Sequence, residues 1–323
     1  MKRLLLLAAA LVLLLTACAA PAASAPDAPT ALDASDPPAE AAETAVTFTD
    51  DLGRTVTADR PERVAALIGS FADIWCLAGG KDALVAAAGD TWTSFDLKLD
   101  ETVADLGAIK EPNLEVLFAA QPDLVLASCN TQANLELQST FEQAGITVAY
   151  FDVQHFEDYL RMLKICTALT GMPERYEENG AAVAAGVEEA IARQDGSAPT
   201  VLCIRATGSG CKVKGSQDNV LGEMLLDLGC VNIADSDSGL LENLSIEAII
   251  AADPDYIFAV LQGADASRAQ ASLEAALLSN PARENLRAVR EGRFYTLDHA
   301  LYNLKPNARW GEAYENLANI LYP

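Results

Sequence analysis

Residues 113–127 read NLEVLFAAQPDLVLA, and residues 245–259 read SIEAIIAADPDYIFA. Six of the fifteen aligned positions are identical. Each copy begins with a residue that favours the helix N-cap, and a glutamate follows in the first turn, where its charge suits the helix dipole. A proline ends the short helix, and the apolar run after it is typical of a buried parallel strand. Two copies in one chain therefore predict two similar α/β lobes.

The sequence around both copies fits this interpretation. Apolar runs that predict strands alternate with helical stretches, which indicates parallel sheets with crossover helices. The predicted strands are Val64–Ile68, Leu84–Ala87, Leu124–Ala127 and Thr147–Phe151 in the first half, and Thr200–Ile204, Val231–Ala234, Tyr256–Leu261 and Arg293–Leu297 in the second.

Helices are predicted between and after the two halves. A helical region runs from His155 to Gln194, and Gly171 and Pro173 divide it. Its second piece would be about 33 Å long at 1.5 Å per residue, long enough to act as a spine. A last helix near Pro306 would place four apolar residues on one face, namely Trp310, Tyr314, Leu317 and Leu321. The predicted fold is α/β, with two Rossmann-like lobes, a long spine helix and a ligand cleft between the lobes.

The N-terminus carries an export signal. Lys2 and Arg3 precede an apolar run from Leu4 to Leu15, which is too short to span a membrane and typical of a signal peptide. The run ends in Leu-Thr-Ala-Cys18, which resembles the lipobox of bacterial lipoproteins, and this resemblance implies lipidation of Cys18. The predicted organisation is a signal peptide (1–17), a lipidated disordered tether (18–46), a first lobe (47–155), a helical connector (156–195) and a second lobe (196–323).

Composition excludes several classes of function. The chain has 323 residues and a formal net charge of −24, which argues against nucleic-acid binding. Two histidines argue against a multi-histidine metal centre. No CxxC pair is present, which argues against zinc-ribbon and thioredoxin-like sites. Cys203 and Cys211 flank a glycine-containing loop and would face each other in a hairpin, so a disulfide between them stays open at this point.

Several blocks together resemble one known family: FTDDLGRTVTADRPERVAAL (48–67), the repeat at 113–128, KGSQDNVLGEMLLDLG (214–229), IEAIIAADPDYIF (246–258) and KPNARWGEAYE (305–315). In this order and behind a lipobox, they are similar to the solute-binding lipoproteins of ABC importers that have a helical spine and take up ferric siderophores, heme or cobalamin. The resemblance implies an ABC permease dimer with its ATPase subunits as partner. It matches Glu115 and Glu247 to the family's permease-docking glutamates. The implied protein is a monomer held to the outer face of the cell membrane by its lipid anchor only.

Ligand-binding residues are expected in the loops that follow the strands. Arg205, Lys212 and Lys214 are close together in an acidic chain and would suit carboxylates or phenolates of a chelate. Aromatic residues here could stack on a planar chelate or belong to the core. The remaining candidates are Phe71, Trp92, Asn130, His299, Tyr302 and Arg309, the last of which could instead pair with an acid. Whether His155, His299 or Tyr302 touches a metal stays open.

The sequence favours a binding protein that captures an iron chelate, with no intrinsic cofactor. A receptor for cobalamin, or for a metal oxyanion such as molybdate, is the alternative within the same class. A surface-anchored α/β enzyme is a further alternative. No GxSxG elbow, HExxH motif or glycine-rich nucleotide loop supports that third interpretation.

Overall fold

The computed structural model describes residues 45–217, 219–242, 244–263 and 265–323. The predicted signal peptide, Cys18 and nearly all of the predicted tether lie outside the described residues. The first strand begins at Ala45, two residues before the predicted start of the first lobe. Within these ranges, no helix has both the length and the apolar character needed to cross a membrane.

Short strands and helices alternate along the chain. The strands are β1 (Ala45–Thr49), β2 (Thr55–Asp59), β3 (Val64–Ala66), β4 (Leu84–Ala87), β5 (Ala104–Asp105), β6 (Leu124–Ser128), β7 (Thr147–Phe151), β8 (Thr200–Thr207), β9 (Gly210–Lys214), β10 (Val231–Asn232), β11 (Tyr256–Leu261) and β12 (Phe294–Leu297). The α-helices are α1 (Gly69–Leu77), α2 (Asp90–Ser94), α3 (Leu114–Ala119), α4 (Gln132–Glu136), α5 (Gln138–Ala144), α6 (Phe156–Thr170), α7 (Glu174–Tyr176), α8 (Ala182–Ile191), α9 (Val220–Asp227), α10 (Ser238–Glu242), α11 (Ile246–Ala252), α12 (Ala266–Leu273), α13 (Arg287–Arg290), α14 (His299–Tyr302) and α15 (Trp310–Leu321).

The sheets of the two halves share one order of four parallel strands. The first sheet has the order β5-β4-β3-β6-β7, and all of its pairs are parallel. The second has the parallel order β10-β8-β11-β12, and β9 pairs antiparallel with β8. β3 therefore lies between β4 and β6 as β8 lies between β10 and β11. The eight predicted strands and the α/β class are confirmed. β10 is shorter than predicted because the Asn232 side chain accepts the Ala234 N–H and starts a 3-10 turn.

The Pro-Asp pair of each repeat fixes this topology. The Asp123 carboxylate accepts the backbone N–H groups of Glu62 at 2.9 Å and Arg63 at 3.2 Å, just before β3. The Asp255 carboxylate accepts the N–H of Thr200 at 2.9 Å, at the first residue of β8. The same aspartate in each copy thus holds the beginning of β3 beside β6 and the beginning of β8 beside β11.

One apolar core contains side chains of both halves. It contains Phe151 from the first sheet and Phe258 from the second, together with Met162 of α6 and Val187 of α8. The spine runs from α7 through a π-helical turn at Glu177–Ala181 into α8. The four residues predicted on one face of the last helix are all buried in α15. Two further apolar clusters pack on the opposite face of each sheet.

β8 and β9 form a hairpin, and its register settles how Cys203 and Cys211 are placed. Cys203 pairs with Lys214, and Cys211 pairs with Ala206. Successive residues of a strand point to opposite faces. Cys203 and Ala206 are three positions apart, so Cys203 and Cys211, the partner of Ala206, lie on opposite faces of the hairpin. Cys203 belongs to the core that joins the halves, whereas Cys211 packs against the outer cluster of the second sheet. The six cysteines of the described ranges are free.

Candidate ligand cleft

A cavity of about 330 Å³ lies at the carboxyl edge of the first sheet. The loops after β3, β4, β6 and β7 line it, as does the segment 303–305, which follows α14 of the second half. Its polar lining residues are Ser70, Asp90, Ser128, Asn130, Thr131, Gln154, Asn303 and Lys305. A neighbouring cavity of about 310 Å³ shares Phe95, Leu304 and Lys305 with it. We call the first of these the cleft cavity. It lies between the halves, where α/β folds usually bind ligands.

The hairpin β8–β9 brings the three predicted basic residues together. Arg205 pairs with Lys212, and Cys203 pairs with Lys214. Directly paired residues present their side chains on the same face, and Arg205 lies two residues from Cys203. All three basic side chains therefore share the sheet face that Cys203 presents to the joining core. Arg205 and Lys214 are half-buried, and Lys212 is exposed.

Lys305 is the basic residue that the sequence analysis missed. It is half-buried, lines the cleft cavity and donates from Nζ to the Gln154 carbonyl at 3.4 Å. Burial lowers the pKa of the Lys305 ammonium; the charges of Glu223, Asp152 and Asp158 oppose this shift, and the charge of Arg205 adds to it. Burial also lowers the pKa of Arg205. The available signal was its position, in a loop after a strand and directly before the proline that begins the last helical segment.

The charge of Arg205 acts on Lys305, and the carboxylates of Glu223, Asp152 and Asp158 act on it in the opposite sense. In the described part of the chain, no carboxylate lies within 4.0 Å of the Arg205 or Lys305 charged group. Lys305 thus places a half-buried positive charge in the lining of the cleft cavity, whereas Arg205 does not belong to that lining.

Asn130 and Phe71 are two of the residues predicted to contact a ligand, and both line the cleft cavity. The Asn130 amide donates to the Asp152 carboxylate, and its backbone N–H donates to Ser128 Oγ at 3.0 Å. Phe71 is only 3% exposed and packs edge-on against Phe151. Phe71 thus forms part of the cavity floor and of the core at once.

The remaining predicted ligand contacts lie away from this lining. Trp92 is 42% exposed on α2, and His299 is the half-buried first residue of α14. Tyr302 is buried and donates its hydroxyl to the Ala313 carbonyl at 3.0 Å, which commits that hydroxyl to packing against α15. Arg309 binds Glu312 through two contacts of 2.7 and 2.9 Å, so it pairs with an acid, and it lines the neighbouring 310 Å³ cavity.

His155 links the two halves. It precedes α6 as its N-cap, and its backbone N–H donates to the Asp158 carboxylate at 3.0 Å. Its ring Nδ1 lies 2.9 Å from Glu223 Oε2 on α9 of the second half. The hydrogen bond to Glu223 raises the pKa of His155. The Nδ1 atom of His155 is therefore already hydrogen-bonded to a carboxylate of the protein itself.

The two predicted docking glutamates occupy equivalent exposed positions. Glu115 lies in the first turn of α3 and Glu247 in the first turn of α11. Their helices have the predicted caps, since Asn113 accepts the Val116 N–H at 3.1 Å and Ser245 accepts the Ala248 N–H at 3.3 Å. The shared topology thus presents one carboxylate on each half in the same local setting.

Comparisons with known proteins agree with this architecture. The chain is 26% identical to the Fe(3+)-citrate-binding protein YfmC of Bacillus subtilis (strain 168), over 254 residues that cover 77% of each chain. Its fold matches a periplasmic heme-binding protein from Pseudomonas aeruginosa with a TM-score of 0.64 and 24% identity, covering 81% of this chain and 93% of that one. It also matches Staphylococcus aureus SirA complexed with staphyloferrin B, with a TM-score of 0.62 and 21% identity, covering 86% and 97%. A family profile described as periplasmic binding protein matches residues 64–301, and the chain belongs to that family.

Proposed function

We propose that this protein is the substrate-binding component of an ABC importer, and that it captures an iron chelate and delivers it to a membrane permease. The observation that carries the proposal is the cavity at the carboxyl edge of the first sheet, whose lining includes the half-buried cation Lys305. Ferric chelates commonly present carboxylate or phenolate oxygens, which such cations bind through charge-assisted hydrogen bonds. The names of the relatives, which include ferric citrate and a siderophore, support the same class of ligand.

Delivery requires a surface that the permease recognises. Glu115 and Glu247 supply one exposed carboxylate on each half, and a permease dimer has two equivalent subunits to receive them. Charge pairs of this kind set the rate and the register of association more than its affinity. The proposed partners are therefore a permease dimer and its ATPase subunits, which drive release of the chelate into the permease.

The proposed location is the outer face of the cell membrane, with lipidated Cys18 as the anchor. The protein would bind its ligand without converting it. Labelling with a radioactive fatty acid tests the anchor, because replacing Cys18 by serine would abolish incorporation.

Ligand binding is tested by the thermal midpoint of the mature protein against ferric citrate, ferric siderophores, hemin, cobalamin and molybdate. A ligand at 100 times its Kd stabilises the fold by about 2.7 kcal/mol, which raises the midpoint by several degrees. We expect saturable one-to-one binding of a ferric chelate that is recovered unchanged. No shift with any ferric chelate, or conversion of the ligand, would contradict the proposal.

A further inference from the structure

The segment 303–307 leads from α14 of the second half onto α1 of the first, and we call it the crossing segment. We infer that the Asn307 side chain and its acceptor Asp73 are positioning residues, which fix the crossing segment so that Lys305 stays in the wall of the cleft cavity. The inference rests on the proposed function, because Lys305 can contact a ligand only if the cleft cavity holds that ligand.

The crossing segment is held at both of its ends. At the first end, Tyr302 is buried, and its hydroxyl donates to a backbone carbonyl of α15 at 3.0 Å. At the second end, the Asn307 amide donates to the Ser70 carbonyl at 3.1 Å and to Asp73 Oδ2 at 2.7 Å, both on α1. Between these ends lie the residues through which the second half lines the cleft cavity.

The local sequence makes the crossing segment stiff. The ring of Pro306 fixes its φ, and the proline also restricts Lys305 before it to extended backbone. Asn307 has a φ of +51°, in the left-handed region that asparagine enters more readily than most residues. The contact of Lys305 Nζ to the Gln154 carbonyl is long, at 3.4 Å, so the Asn307 anchor is the stronger restraint. The position of Lys305 therefore follows that of Asn307.

Asn307 keeps its place in spite of two unfavourable features. Its backbone is left-handed, and its Oδ1 is buried without a hydrogen-bond partner among the residues that the structure describes. The residue is 0% exposed, and a buried unpaired carbonyl is unfavourable. Such residues persist where the surrounding contacts hold them, and they are common at functional sites. Here the holding contacts are the two amide hydrogen bonds to α1.

Asp73 is the charged acceptor of this anchor. It lines the neighbouring 310 Å³ cavity, and Lys305 lines both that cavity and the cleft cavity, so the crossing segment forms a wall between them. Burial raises the pKa of Asp73, and the hydrogen bond from Asn307 opposes this shift. Removing either partner would leave a polar group unpaired inside the protein and release the wall.

Three variants and one control test the anchor in the mature protein. Asn307→Gly removes the amide without straining the left-handed backbone. Asn307→Asp places two carboxylates together, and adding Asp73→Asn restores a donor and an acceptor with their roles exchanged. Asn280→Gly is the matched control, because Asn280 caps a 3-10 turn outside the lining of both cavities. The thermal midpoint checks that each variant is folded.

Two of the measurements need no ligand. Hydrogen–deuterium exchange followed by mass spectrometry reports the release of residues 303–309. Carbon-13 NMR of reductively dimethylated lysines reports the titration of Lys305, whose signal is identified by its loss in Lys305→Arg. Burial lowers the pKa of Lys305, so release of the crossing segment into water should raise it. Calorimetric titration with ferric citrate then measures Kd.

In Asn307→Gly and in Asn307→Asp, we expect exchange across residues 303–309 to be about tenfold faster than in the wild type. Lys305 should titrate at a higher pH, and the Kd for ferric citrate should rise about tenfold. The double variant should be closer to the wild type than Asn307→Asp in all three measurements, and Asn280→Gly should match the wild type. This rescue separates positioning from a general loss of stability.

Wild-type exchange and Lys305 titration in folded Asn307→Gly, or no rescue in the double variant, would overturn the inference. An unchanged Kd in a variant whose crossing segment is released would overturn it too. If Asn307→Gly does not fold, Asn307→Asp and the double variant decide the same question. Failure of the wild-type protein to bind ferric citrate or any other ferric chelate would overturn the proposed function, whereas exchange and titration would still decide whether Asn307 and Asp73 position Lys305.

Discussion

Replacing Asp255 by alanine removes the carboxylate that holds the beginning of β8. This carboxylate accepts the Thr200 N–H at 2.9 Å and the Thr200 hydroxyl at 2.7 Å, and it lies 2.8 Å from Arg287 Nη1. The Asp255 side chain is 22% exposed. The equivalent Asp123 also accepts backbone N–H groups but lies in an exposed setting, so the two repeats provide a matched pair of substitutions.

The number and kind of these contacts determine how much unfolding free energy the substitution should cost. Hydrogen bonds to a charged group contribute about 1.5–3 kcal/mol each, toward the lower value where water reaches the site. The ion pair to Arg287, whose side chain is 40% exposed, adds about 0.2–1 kcal/mol. We expect Asp255→Ala to cost about 3 kcal/mol of unfolding free energy and to lower the midpoint by about 6–9 °C. Asp123→Ala also removes the acceptor of two backbone N–H groups, but in an exposed setting where water can replace it, so we expect a smaller cost of about 1 kcal/mol.

The loss should also depend on pH. Burial alone would raise the pKa of Asp255, but the hydrogen bonds from Thr200 and the charges of Arg287 and Arg293 outweigh it and lower the pKa. A carboxyl with a lowered pKa stabilises the fold above its unfolded pKa, and this contribution is lost as the pH falls through the folded value. Urea unfolding followed by circular dichroism at pH 7, 5 and 3.5 measures it. Equal losses for Asp255→Ala and Asp123→Ala at pH 7, or a loss for Asp255→Asn that does not shrink at pH 3.5, would refute this reasoning.

Three other predictions follow from the cleft and the docking helices. In Gly222→Ala, the new Cβ would lie 2.2 Å from the Gly215 carbonyl oxygen in the loop after β9; we expect that loop to shift and the thermal midpoint to fall, with the circular dichroism spectrum unchanged. Glu223→Gln removes the negative charge of the carboxylate whose hydrogen bond raises the pKa of His155. Because a raised histidine pKa stabilises at low pH and its effect is lost as the pH rises through it, Glu223→Gln should lower the unfolding free energy by less than about 1 kcal/mol at pH 5.5 and by less still at pH 8. Glu115→Lys with Glu247→Lys should abolish iron-chelate uptake by cells while the Kd of the purified protein stays the same.

The overall architecture could be predicted because its signals are local. The N-cap, first-turn glutamate, proline and apolar run of each repeat lie within fifteen residues, and such a unit forms the same helix and strand wherever it occurs. The alternation of strands and helices indicates parallel sheets with crossover helices, whose hand is right-handed. The caps at Asn113 and Ser245, and the buried face of α15, needed no information beyond the segment itself.

The cleft could be predicted only in part, because its chemistry depends on distant residues meeting. Arg205 and Lys305 belong to segments a hundred residues apart, and neither segment indicates that the other is near. The hairpin register that separates Cys203 from Cys211 depends on which residues form its turn, and the pattern of apolar residues permits more than one choice. Tyr302 follows a strand, as a ligand contact would, but its hydroxyl meets a carbonyl of α15 instead.

The apolar core that joins the two halves limits how far the halves can move apart when a ligand binds. Tyr159 and Met162 of α6 are fully buried in a cluster that includes side chains of both sheets and of α15. Wide hinge opening would expose this apolar surface at about 25 cal/mol per Å², whereas the loops at the carboxyl edges can move without disturbing it. The cavity and its Lys305 side chain are therefore largely in place before a ligand arrives. Under the proposed function, we expect a substitution at Lys305 to change the affinity for a ligand more than it changes the free energy of unfolding.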